Sequence, residues 1–93
     1  MTKSGLIKRL FVQTTDKLEG IKAELAAKGI SVDDYKISLD EKHNELSEAI
    51  LQAIENFDIL KQKEILEEAK DFCSQTRKAI EVLTLEHLKK GYK

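Results

Sequence analysis

Ninety-three residues, 41% hydrophobic and 35% charged with a net charge of −1, suit one globular domain spanning 1–93 and exclude a disordered chain. The near-neutral balance gives no bulk attraction to nucleic acid or anionic membrane. No prolines and only four glycines argue against an all-β fold built on many tight turns.

The single cysteine, Cys73, closes no intrachain disulfide and fits a reducing compartment. No apolar run approaches the ~18–20 residues of a membrane span. Lys8 and Arg9 interrupt the apolar start Leu6-Ile7, too early for a secretion signal. The expected location is cytoplasmic.

In chain order, the first element is a helix. Ile7, Phe11, Thr14, Leu18, Ile21 and Leu25 are spaced 4, 3, 4, 3, 4, which puts one side chain per turn on one face. Ser4 is the expected N-cap and Gly29 the stop. Ile30 to Ile37 reads as a connection, with room for one helical turn capped by Ser31. Ser38-Leu39-Asp40-Glu41 is a capping box that starts the second helix. Its stripe, Leu39, His43, Leu46, Ile50, Ala53 and Phe57, repeats the same spacing.

Asn56-Phe57-Asp58 is the break before a third helix, with Asp58 as N-cap. No glycine or proline forces a stop there, so one continuous helix from Leu39 to about Lys90 is the competing reading. The third stripe holds Ile65, Leu66, Ala69, Phe72, Cys73, Thr76, Ile80 and Leu83, and Gly91 ends it. At 1.5 Å per residue the three helices measure about 36, 28 and 48 Å, leaving the end of the third overhanging. The fold class is all-α: an antiparallel three-helix bundle of two long helices and one medium, assembled as a dimer or higher oligomer. Residues 1–28 carry +3, 29–60 carry −6 and 61–93 carry +2, so the acidic middle helix is expected to touch both neighbours.

Candidate chemistry is sparse. Asp40 and His43 have an i, i+3 spacing able to share a metal, but His87 has Thr84 where a second carboxylate would stand. His43 reads better as a histidine at the core boundary. Cys73 lies on the buried stripe, where a thiol behaves as a small hydrophobe. No phosphate-cradling glycine loop or nucleophile elbow occurs. The expectation is a protein that is not an enzyme and carries no cofactor or metal.

The surface says more. Leu6, Leu10 and Val12 widen the apolar face of the first helix, and Val82, Leu85, Leu88 and Tyr92 form a second stripe on the third. A helix apolar on two faces touches two things, so these seven residues are the expected contact with a protein partner or a second copy. Glu41, Glu45, Glu48 and Glu55 share a face of the second helix, read as solvated or as docking a basic partner. The alternative function is an oligomer that captures an anionic small molecule such as a nucleotide between subunits, using Lys8, Arg9 and Tyr35.

Two stretches, Phe57 to Lys70 and Leu6 to Leu10, resemble parts of tubulin-binding cofactor A, a three-helix chaperone. The longer stretch stands too late in the chain and the proline that follows it in that family is missing, so no function is carried over.

Overall fold

A computed structural model describes residues 2–88, the last by its backbone alone. Three helices, α1 (Lys3–Ala27), α2 (Asp33–Glu55) and α3 (Ile59–Leu83), are followed by a π-helical turn, Thr84–Leu88. No strand occurs among the described residues. Each helix packs against both others. Lys3 Nζ donates to Gln62 Oε1 at one end, 2.6 Å away, and Lys28 Nζ donates to the His87 carbonyl at the other. Thus α1 and α3 run parallel and α2 returns antiparallel to them. The rod measures 54 × 21 × 19 Å. The end holding the α2–α3 connection is called the turn pole and the opposite end the far pole.

The 4, 3 spacing delivers the core. Ile7, Phe11, Thr14, Leu18 and Leu25 of α1 meet Leu39, Leu46, Ile50 and Ala53 of α2 and Ile65, Ala69, Cys73 and Ile80 of α3, all buried. His43, the polar member of the second stripe, is half-buried and lies flat on Phe11, with ring centroids 5.0 Å apart and planes 4° from parallel. Thr14 stays buried at no cost in unmade bonds because its hydroxyl donates to the Leu10 carbonyl at 2.8 Å.

The helix starts correct the sequence expectation twice. Thr2, not Ser4, caps α1: its hydroxyl accepts from the Gly5 amide at 3.1 Å. The helix α2 begins at Asp33, so the Ser38-Leu39-Asp40-Glu41 box lies inside it. Burial overrides the local cap here. Starting at Asp33 keeps Val32 buried at the helix entrance and Tyr35 packed against the core, one turn and more before Leu39. Val32 supplies no side-chain cap. Asp33 and Asp34 instead place negative charge against the helix N-terminus, and the Ser31 hydroxyl accepts from the Asp33 amide at 3.3 Å.

Two connections share one geometry. Gly29 has φ +80°; its amide donates to the Ala26 carbonyl, and the Ile30 amide to the Leu25 carbonyl. Phe57 has φ +54°; its amide donates to the Ile54 carbonyl, and the Asp58 amide to the Ala53 carbonyl. Both are Schellman caps with the left-handed residue one place past the cap. Asp58 then caps α3 through the Lys61 amide at 3.0 Å. Two separate helices therefore replace the continuous alternative.

The break expels Phe57 from the core stripe in which it was expected: it is 86% exposed. Gln62 closes the junction beneath, where its Nε2 donates to the same Ala53 carbonyl at 3.2 Å.

Helix lengths of 25, 23 and 25 residues remove the expected mismatch between two long helices and one medium. The early start lengthens α2, and regular α3 stops at Leu83. There the Thr84 hydroxyl donates to the Ile80 carbonyl at 2.8 Å. Such back-bonding competes with the backbone ladder and marks the passage into the π-helical turn. Gly91, the expected stop, lies outside the described residues.

Charge pairing is thinner than the segment totals imply. Lys22–Asp33 (3.7 Å) joins basic α1 to acidic α2, but Lys42–Glu68 (3.6 Å) joins α2 to α3 with the signs reversed. Lys17–Glu81 (3.0 Å) joins α1 to α3. Exposed pairs of this kind each contribute only ~0.2–1 kcal/mol.

Candidate interaction surface

The residues expected to contact a partner fall into two groups. Leu6, Leu10 and Val12 occupy the turn-pole half of α1. Leu6 and Val12 are exposed, while Leu10 is half-buried against the core. Val82 and Leu85 lie towards the far pole, 50% and 58% exposed. With Lys3 level with Gln62 and Lys17 level with Glu81, Leu6 and Val82 stand roughly 20 Å apart along the axis at 1.5 Å per residue. They do not form one surface. The Leu88 side chain and Tyr92 lie outside the described residues.

Leu85 edges a groove of about 410 Å³ between α1 and α3, lined also by Lys17, Ile21, Ile80, Glu81 and Thr84. The Lys17–Glu81 ion pair closes one side. That contact, with its hydrogen bond from Lys17, holds the Glu81 carboxyl below its ordinary pKa.

A larger apolar group was not singled out from the sequence. Phe57, Ile59 and Leu60 form the α2–α3 connection and the first residues of α3, and are 86%, 65% and 74% exposed. Leu51 and Ile54, on the last turns of α2, are exposed as well. The available signal was an apolar run, Phe57 with Ile59-Leu60, placed at a helix break where turn residues normally stand. Assigning Phe57 to the core stripe hid it.

The alternative anion site is not assembled within one chain. Lys8 and Arg9 are exposed on the turn-pole half of α1, whereas Tyr35 is half-buried in the first turn of α2. Phe11 stacks on His43 and Lys22 pairs with Asp33, a register that places Tyr35 roughly 18 Å from Lys8 along the axis.

Asp40, His43 and Cys73 each have a close neighbour within the bundle. Asp40 Oδ1 lies 3.8 Å from Lys36 Nζ, and the face of His43 is taken by Phe11. No cluster of three or more potential metal ligands occurs among the described residues. Cys73 is buried, and desolvation pushes its thiol pKa up despite a hydrogen bond with Thr14 and the charge of Arg77. A protonated, buried thiol is a poor nucleophile.

The acidic face of α2 continues onto α3. Two open grooves share Lys42 and Phe72: one is lined by Glu64, Glu67, Glu68 and Asp71 of α3, the other by Glu41 and Glu45 of α2, and Glu48 and Glu55 are exposed. Lys42 Nζ lies 3.1 Å from Glu45 and 5.7 Å from the Phe72 ring centroid. Its hydrogen bond to Glu45 raises its pKa, with Glu68 adding to the effect.

No helix among the described residues is long and apolar enough to cross a membrane. Compared with known protein families, curated proteins and solved structures, the chain matches none.

Proposed function

We propose that the chain is a non-catalytic helical interaction module, an adaptor, chaperone or inhibitor that works as an oligomer by protein–protein contact. The supporting observation is the apolar side chain left open at both poles, Val82 and Leu85 at one and Phe57 and Leu60 at the other. The core is already complete without them. Burying a large apolar side chain is worth ~1.5–3 kcal/mol, and these residues retain that driving force for a contact outside the bundle. The engaged states of Cys73, His43 and Asp40 favour binding over catalysis.

The test charges both poles at once, with Leu60→Lys, Val82→Glu and Leu85→Glu in one chain. All three positions are exposed, so helicity by circular dichroism should hold. The expected result is a sedimentation mass of 10.6 kDa and loss of the proteins captured by the wild type. Unchanged mass together with unchanged capture overturns the proposal.

A further inference from the structure

Phe57 occupies a backbone conformation that L side chains avoid and that glycine takes freely, at φ +54°. It also gives the core almost nothing, being 86% exposed. Its backbone closes the cap of α2, but its strained and solvated side chain adds little to its own bundle. Strain of this kind points to a use outside it.

Phe57 is not isolated. Ile54, Ile59 and Leu60 lie within one helical turn of it and Leu51 one turn further back, all exposed. At about 150 Å² per large apolar side chain, the five leave on the order of 500 Å² open. Contiguous apolar surface on that scale, ~300–600 Å² on a typical monomer, is often functional.

We propose that the turn pole is the face through which two copies of the chain associate, in a two-fold contact centred on Phe57 and Leu60. The proposal rests on the interaction-module reading and names its surface and partner. Two arguments favour a second copy. Two such patches with their polar rims bury upwards of ~1,000 Å², the lower bound for a specific interface. The rim is also self-complementary: Glu55 and Asp58 on one side of the connection and Lys61 and Lys63 on the other are all exposed. In a two-fold contact residue i meets residue j and j meets i, so each acidic pair can face the basic pair of the other copy.

The test is sedimentation equilibrium on the full chain with two variants. Wild type should move from 10.6 kDa towards twice that mass as concentration rises, which gives the dimerisation Kd. Phe57→Gly with Leu60→Lys should raise that Kd at least tenfold. Its folded baseline and helicity should be retained, because neither side chain supports the core. Val82→Glu with Leu85→Glu, which charges the pole left to a protein partner, should weaken partner capture and still form the dimer. Asn56→Cys, beside the two-fold axis, should form a cross-linked dimer on mild oxidation, while wild type, whose one thiol is buried, should not. The maximum dimension by small-angle scattering should extend well beyond 54 Å.

A wild type that stays monomeric at millimolar concentration overturns this inference, as does a dimer that survives the turn-pole substitutions. A dimer lost only through Val82 and Leu85 also overturns it, while supporting the broader module reading. Unchanged self-association together with unchanged partner capture in every variant would remove that reading as well.

Discussion

Gly29 and Phe57 hold the same position in two copies of one helix cap. Each has positive φ, +80° and +54°, and each is followed by an amide that reaches back five residues, Ile30 to Leu25 and Asp58 to Ala53. The first cap uses the residue that the conformation favours, a glycine with no side chain to place. The second uses a phenylalanine and holds it out in solvent. The same bond pattern therefore separates what the fold needs from what the surface carries.

Substitution at the two caps should move stability in opposite directions. A Cβ added at Gly29 meets nothing within 4 Å, so Gly29→Ala tests backbone conformation without a steric clash. The left-handed region costs an L residue about 1–2 kcal/mol, and that loss is expected in urea denaturation. Phe57→Gly should raise monomer stability by up to about 1 kcal/mol, the relief of strain being partly offset by glycine's freedom in the unfolded chain. A fall in monomer stability for Phe57→Gly would show that the ring supports the fold after all.

The three core stripes were legible because each burial position recurs at 3.6-residue spacing, a periodic signal that side-chain burial enforces over several turns. Val12 and Leu85 stand off those stripes and are exposed, as their angular positions required. The start of α2 was not legible. Ser38 and Glu41 offer a local pair of hydrogen bonds, but burying Val32 and packing Tyr35 outweighs them, and that gain depends on residues of other helices. Phe57 has the right spacing for the second stripe. Only the backbone turn at Asn56–Asp58 decides that its side chain leaves the bundle.

Cys73 makes stability depend on alkaline pH. Burial raises its folded pKa above the ordinary 9.0. The contribution is complete below pH 9.0 and is lost as pH rises towards the folded value, because the unfolded thiol ionises first. Denaturation of wild type should weaken above pH 9.0 more steeply than that of Cys73→Ala, after the shared titration of lysines and tyrosines is subtracted. The native thiol should also react with a disulfide reagent only as fast as the bundle opens. Parallel pH profiles for the two chains, or prompt labelling of native protein, would contradict this assignment.

The stack of Phe11 on His43 fixes α1 against α2 in the turn-pole half of the bundle. Phe11 is essentially unexposed and also faces Phe72, with centroids 6.1 Å apart. Phe11→Ala should cost about 3–5 kcal/mol, much of the ~5–15 kcal/mol available to a small domain. A gentler cycle isolates the pair: Phe11→Leu, His43→Ala and the double variant, each unfolded in urea. Aromatic pairs couple by about 0.5–1.5 kcal/mol beyond area burial, and a coupling in that range is expected here. Near-perfect additivity would mean that His43 only fills space beside Phe11. The imidazole could then be replaced by any side chain of similar volume, with no change in how the two helices register.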